Sequence, residues 1–387
     1  MLPNIMIPSQ DTSPFEDCDE VSSRVEQQSS KCNEIPSGEL STTYRSILPK
    51  FFPSEIKIGT LLGAGTFSTV YGITSICLIE NNQNTEQQLR CRDFLSKHVH
   101  QETTEYCRYV MKCLRKDVIN NKELYKNASV ELSAEAKILS SISHANVITI
   151  RGHGSSCETE SETGLPEGYF LILDRLYETL DQRIQKWRLQ EKGRTFRRLS
   201  LQKKLFTMEK RSNSSIPRDR IKISVGISAA LKYLHGRNII YRDLKPENLG
   251  FDARGEIKLF DFAFSKDLST SIQYSDGTYK LTSGIGTLRY MAPEVAKGET
   301  YNFSADVYSF IILMWELLTL NQAYQNFTKE KLFNEVIYGT YRPKMDHTFP
   351  GSLQSLLEDG WSSYLYERPS MDVVFESLVE TEQSAAF

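Results

Sequence analysis

Apolar residues are unevenly spread along the chain, and their spacing changes character near residue 50 and again in the second half. Residues 1–48 have no hydrophobic period and many Ser, Glu, Gln and Pro residues, so they read as a disordered acidic tail. The alternative there is a short docking segment using Ile5, Met6 and Ile7. From about Phe51 the pattern predicts a strand over 56–62, a turn at 63–65, a second strand over 70–78 and a third over 109–114. The polar stretch within 79–108 has weak periodicity and reads as a surface loop. Leu124, Val130, Ala134, Ile138 and Leu139 have the spacing of a helix over 121–141. Two short apolar runs, 147–151 and 169–173, flank a polar loop at 152–168. In the second half, 221–235 reads as a buried helix and 257–260 as a short strand, followed by a Ser/Thr-rich loop. The helix over 305–319 is so apolar that it belongs at the centre of a lobe. Further helices are expected at 329–337, 352–358 and 370–380.

Composition narrows the class of protein. The 387 residues are 40% hydrophobic and 25% charged, which excludes global disorder. A net charge of -3 argues against a chain held to nucleic acid by charge. The opening residues lack a basic start and an apolar run, so no secretory signal is expected, and SFIILMWELL is too short to span a bilayer. The reading is a soluble protein of the cytoplasm, with the nucleus as the alternative. Seven cysteines, all between Cys18 and Cys157, follow no zinc spacing, and six scattered histidines add no metal pattern. Charge is nevertheless segregated. Residues 1–48 hold eight acidic and three basic residues, whereas Lys186 to Arg211 holds ten basic and two acidic ones. This basic insertion, about 186–217, reads as a solvated surface or as a site for an acidic or phosphorylated partner.

Several phrases in fixed order bear on one another. Gly63-Ala64-Gly65-Thr66-Phe67-Ser68-Thr69-Val70 sits between two strands, where glycines let backbone N–H groups approach phosphate. Lys112, in an apolar strand, can reach a phosphate pair and needs a carboxylate to hold it; Glu135 and Glu131 on the next helix are the candidates. The stretch from Tyr241 to Asn248, YRDLKPEN, is followed thirteen residues later by Asp261-Phe262-Ala263 and then by Met291-Ala292-Pro293-Glu294. Such an order can bring a base, a cation for phosphate and two metal ligands into one cleft. Chance assembly of the whole set is negligible.

On these phrases the sequence resembles the eukaryotic protein kinases, over about 55–378 with large insertions. The resemblance implies an α+β, two-lobed protein kinase fold. A small, mainly antiparallel sheet lobe with one key helix spans about 55–173, a larger, mainly helical lobe spans about 177–378, and 379–387 is a short tail. It implies ATP and Mg²⁺, or Mn²⁺, as cofactors. Lys112 matches the ATP-positioning lysine and Glu135 its helix partner. Asp243 matches the base that receives the substrate proton, and Lys245 the lysine facing the transferred phosphate. Asn248 and Asp261 match the metal ligands. The nucleotide site is implied to use Gly63, Ala64, Gly65, Thr66, Phe67, Ser68 and Val70, with Leu173, Asp174 and Leu176. Asp306 resembles a buried aspartate bracing the catalytic loop, Thr287 a contact of the catalytic aspartate, and Glu294 and Arg368 a distant pair.

DLKPEN and Thr287 resemble serine/threonine-directed enzymes, and ADVYSFIILMWELLT with RPSM looks most like the tyrosine-kinase-like group. The implied partners are proteins offering Ser or Thr hydroxyls. Arg242 before Asp243 further implies an upstream activating kinase, with Thr270, Ser271, Ser275, Thr278 and Thr282 among the acceptors. Ser68 and Ala263 stand where glycines are usual, which predicts a less closely closing loop and a stiffer switch. Gly250 stands where an aliphatic residue is usual. The competing reading is a pseudokinase that binds nucleotide or partners without phosphotransfer.

Overall fold

Strand pairing builds the first lobe of the computed structural model, which describes residues 48–80, 84–99, 107–154, 169–202 and 217–384, with the backbone alone for 194–202. The expected tail, apart from Leu48, the centre of the 152–168 loop and the end of the basic insertion lie outside those residues. In chain order the lobe contains β1 (Lys50–Phe51), β2 (Ile56–Ala64), β3 (Ser68–Ile76), α1 (Glu86–His98), β4 (Tyr109–Leu114), α2 (Lys122–Ser141), β5 (Ile150–Gly154) and β6 (Phe170–Asp174). The sheet order is β1-β5-β6-β4-β3-β2, antiparallel except for the β1–β5 pair. The second lobe follows with β7 (Glu178–Thr179), α3 (Leu180–Gln202), α4 (Arg218–His235), β8 (Ile239–Ile240), β9 (Leu249–Phe251), β10 (Ile257–Leu259) and β11 (Lys266–Asp267). It ends with α5 (Pro293–Lys297), α6 (Ser304–Thr319), α7 (Gly351–Gly360) and α8 (Met371–Ser384). This is the two-lobed kinase architecture that the sequence led us to expect.

The stretch expected as a loop within 79–108 is instead partly helix. Thr85 caps α1, accepting from the Gln88 backbone while the Gln88 side chain accepts from the Thr85 N–H (2.7 Å). Gln88, Arg92, Leu95 and Val99 form one buried stripe at helical spacing. Two of the four are polar, so hydrophobic periodicity does not report them. Gln88 Nε2 donates to Leu48 O (3.0 Å). Arg92 donates to Lys50 O, lies over the Phe51 ring and pairs with the fully buried Glu55 carboxylate. Leu95 and Val99 pack with Phe51, Ile73, Tyr109 and Phe170 in a core separate from the main one. The large insertion therefore adds a layer to the small lobe.

A second difference concerns the basic insertion. Lys186 to Gln202 continues α3, and some of its charges are already paired: Lys186 with Glu178 (2.8 Å), and Arg188 Nε with Leu320 O (2.6 Å). At the other end of the chain, α8 runs to Ser384 and takes up most of the expected short tail.

The apolar helix α6 lies at the centre of the helical lobe, buried from Ala305 to Leu318. The small lobe is fastened to it indirectly through 144–148. Ile148 N donates to Leu259 O and Leu259 N to Asn146 O (both 2.8 Å), while Asn146 Nδ2 reaches Ile257 O (2.9 Å). Within α6, Glu316 accepts from Ala323 N (2.6 Å) and Tyr290 Oη (3.0 Å). Burial pushes its pKa from 4.5 up to about 7.

Two outcomes follow. Arg92→Met strands the Glu55 carboxylate in a buried site and should cost roughly 3 kcal/mol of stability in chemical denaturation. For Glu316, the folded protein binds a proton that the unfolded chain has released above its ordinary pKa. Its stabilisation is therefore present at low pH and lost as pH rises through about 7. Unfolding measured from pH 5 to 8 should show a decline of about 2–3 kcal/mol that Glu316→Gln lacks.

Candidate active site

Sheet register fixes the upper wall of the cleft. Gly63 faces Val70, Val70 faces Lys112 and Lys112 faces Leu171, so the glycine turn and the lysine share one line across four strands. Gly65 N donates to Ser68 O (2.8 Å), closing the turn through Thr66 and Phe67. A Cβ on Gly63 would meet nothing within 4 Å, so open space lies beside it. Leu173 and Asp174 end β6, where the chain passes to the helical lobe, and Leu176 follows. The Asp174 carboxylate is engaged by Arg151 in two bonds of 2.8 Å. Leu176 packs over Gly250; a Cβ there would lie 2.8 Å from Leu176 Cδ1, which accounts for the glycine.

Lys112 Nζ bridges the two lobes. It donates to Glu135 Oε2 (2.6 Å) on α2 and to Asp261 Oδ1 (2.9 Å) after β10. The bond goes to Glu135 rather than Glu131, which lies one turn earlier and is half-buried. Burial pushes the lysine pKa down, but the two carboxylates more than reverse this and hold it charged. Burial also pushes Asp261 up, yet Lys112 outweighs it and keeps the carboxylate ionised. Asp261 has φ 62, and its side chain remains 40% exposed. The left-handed residue is thus Asp261 itself, while Ala263 offers its N–H to that carboxylate. Phe262 is fully buried, edge-on to Tyr241 at 5.2 Å, and its N–H faces Glu135 Oε1 (3.4 Å).

Asp243 lies on the opposite wall. Its Oδ1 accepts from Thr287 Oγ1 (2.9 Å), and its Oδ2 accepts from Lys245 Nζ (2.7 Å) and Asn248 Nδ2 (2.9 Å). Lys245 Nζ also reaches Thr287 Oγ1 (3.2 Å). Because the Asn248 amide nitrogen faces Asp243, its oxygen is the atom left for a cation. That oxygen and the Asp261 carboxylate are hard donors suited to Mg²⁺, which commonly takes one or two carboxylates besides phosphate oxygens and water. Among the described residues no cluster of three or more His, Cys, Asp or Glu could hold a metal unaided.

The backbone carrying Asp243 is shaped from behind. Asp306 Oδ2 accepts from Tyr241 N and Oδ1 from Arg242 N (both 2.8 Å), while His235 Nε2 lies 2.9 Å from Oδ2. Arg242 adopts φ 74. Glu294 and Arg368 form a buried two-bond pair (2.7 and 2.8 Å). Sequence reasoning did not single out His235 or Gly286. Gly286 has φ 101, and a Cβ there would lie 2.4 Å from Arg242 O. The Gly-Thr pair at 286–287 carried the signal, because a glycine beside a residue touching Asp243 marks a close backbone approach. A cavity of about 590 Å³ lined by Trp315, Tyr324, Phe327 and Tyr341 lies elsewhere, with no phosphate-site candidate on its walls.

Comparison with known proteins places most of the chain in one family. A family model described as protein kinase domain matches residues 95–379. The serine/threonine-protein kinase STY17 of Arabidopsis thaliana is 35% identical over 158 residues, 41% of this chain and 26% of its own length. The serine/threonine-protein kinase CTR1 of the same plant is 31% identical over 170 residues, 43% and 20% of the two chains. The dual specificity protein kinase shkE of Dictyostelium discoideum is 32% identical over 164 residues, 42% and 22%. The chain spans about a quarter of the length of such relatives or less. The family match begins inside α1, so the β2–β3 hairpin takes its place from register alone.

Gly286→Ala imposes both a left-handed alanine and a collision with Arg242 O. It should lower stability by about 2 kcal/mol and displace Thr287 from Asp243, seen as a lower melting temperature together with faster hydrogen exchange around Thr287.

Proposed function

The chain belongs to the protein kinase domain family, and from that premise we propose that it transfers the γ-phosphoryl group of ATP to serine and threonine hydroxyls of protein substrates. The observation that carries this reading is the Lys112 ammonium held between Glu135 and Asp261, which joins the sheet lobe to the strand end bearing a metal-ligand candidate. Phosphoryl transfer requires alignment and charge neutralisation more than covalent help from the protein. Lys112 is oriented to meet the α- and β-phosphates beneath Gly63 to Val70. Asp243, fixed by Thr287 and Asn248, presents a carboxylate to position a hydroxyl and take its proton. Lys245 adds a positive charge at that carboxylate, where the transferring phosphoryl group arrives. Asn248 and Asp261 would hold Mg²⁺, which supplies positive charge against the phosphate oxygens when bound.

The Lys245–Thr287 contact and the names of STY17 and CTR1 support the choice of Ser and Thr as acceptors. Membership of the tyrosine-kinase-like group, a cytoplasmic site of action and an acidic or phosphorylated partner for the basic insertion are further parts of the proposal. They rest on the sequence phrases and the local charge. Among the described residues no helix is long and apolar enough to cross a membrane.

Purified protein with Mg²⁺, labelled ATP and a mixed Ser/Thr peptide pool should incorporate label. Lys112→Met and Asp243→Asn should each reduce incorporation by about 100-fold or more. Equal incorporation by all three forms, with contaminating kinase excluded, would overturn the enzyme assignment in favour of a binding module.

A further inference from the structure

The segment from Asp261 to Glu294 is held at its two ends by charge, Asp261 on Lys112 and Glu294 on Arg368, and in between by tyrosine and backbone contacts. Tyr301, fully buried, pairs its backbone with Tyr279, with Tyr279 N donating to Tyr301 O (2.9 Å) and Tyr301 N to Tyr279 O (3.2 Å). Its hydroxyl donates to Thr282 O (2.8 Å) and receives Arg242 Nη1 (3.4 Å). Arg242 Nε donates in turn to Phe264 O (2.6 Å). One tyrosine thus connects the arginine beside Asp243 to both halves of the segment.

Neighbouring bonds complete the frame. Tyr274 N donates to Thr278 O (2.8 Å), and Asp276 accepts from the Thr278 N–H (2.9 Å) and hydroxyl (2.7 Å). Lys266–Asp267 pairs with Ile239–Ile240. One hydroxyl that the sequence offered as a phosphate acceptor, Thr278, is buried and held by Asp276; Ser265, nearer Asp261, is also buried and donates to Tyr241 O (3.3 Å). Thr270, Ser275, Thr282 and Ser283 are exposed, and none of these contacts uses their side chains.

We propose that Tyr301 is a positioning residue that orders this segment around Arg242 without a phosphorylated side chain, so that the protein is competent for peptide phosphorylation as folded. The proposal rests on the kinase reading above. The neutral Tyr301 hydroxyl and the Phe264 carbonyl occupy Arg242, the arginine that would otherwise be expected to meet a phosphate. An upstream activating kinase is then not required for ordering. The Thr287–Asp243 contact follows directly along the same chain, so loosening Tyr301 reaches the acceptor side of the site. Lys112 bonds to Glu135 and Asp261, and Tyr301 to Tyr279, Thr282 and Arg242.

The test uses the full chain after phosphatase treatment, with removal of phosphate verified by intact mass. Hydrogen exchange across 274–304 and peptide phosphorylation are measured for three forms: the unaltered chain, Tyr301→Phe, and a chain with Thr270, Ser271, Ser275, Thr282 and Ser283 all changed to Ala. The unaltered and five-alanine forms should exchange alike and phosphorylate peptide alike. Tyr301→Phe should speed exchange at the Tyr279 amide and raise the peptide KM, each by about tenfold, while the KM for ATP stays unchanged. Phosphatase treatment that itself loosens the segment, or Tyr301→Phe that behaves as the unaltered chain, would overturn the proposal. The expected exchange pattern without phosphotransfer in any form would instead count against the kinase reading and leave the role of Tyr301 in ordering the segment standing.

Discussion

The Asp306 carboxylate accepts two consecutive backbone N–H groups, from Tyr241 and Arg242, at the buried start of the apolar helix α6. Consecutive amides aimed at one carboxylate force the chain to turn there, and Arg242 accordingly adopts a left-handed φ. That turn directs Asp243 into the cleft and Arg242 toward Phe264 and Tyr301. It also brings the Arg242 carbonyl so close to residue 286 that only glycine fits. A charge at the centre of a hydrophobic lobe is costly unless fully hydrogen-bonded, and here His235 adds a third polar neighbour. The price in desolvation is offset by a rigid backbone at the place where alignment matters most.

The second organising charge joins separate elements. Lys112 belongs to the sheet, Glu135 to a helix packed on it and Asp261 to the other lobe. Its three-way contact can form only when all three elements are in register. Asp261 remains partly exposed beside Lys112, whereas the Glu135 side chain is buried. The Asp243 group, by contrast, is held within the helical lobe by side chains drawn from 243–248 and 287.

Much of this was legible in the chain because chemistry clusters locally. YRDLKPEN places three site candidates within six residues, and the apolar run of α6 advertises its burial without ambiguity. Less legible features share one trait: they exist only between distant segments. The stripe of α1 was hidden because burial there falls on Gln88 and Arg92, whose partners Leu48, Lys50 and Glu55 lie far back in the chain. The Thr85–Gln88 capping box opens α1 with no hydrophobic period behind it. Gly250 looked anomalous until Leu176 was found above it. Tyr301 carries no motif of its own; its importance comes from meeting Tyr279, Thr282 and Arg242 in space.

The layer added by α1 does not cover the sheet evenly. It packs against β1, β3, β4 and β6, whereas β2 is exposed along eight of its nine residues and slips register three times against β3. The small lobe is therefore backed on one side and bare at its edge: β2 pairs only with β3 and gives the α1 core Ile56 alone, so its outer residues can change in sequence without opening that core.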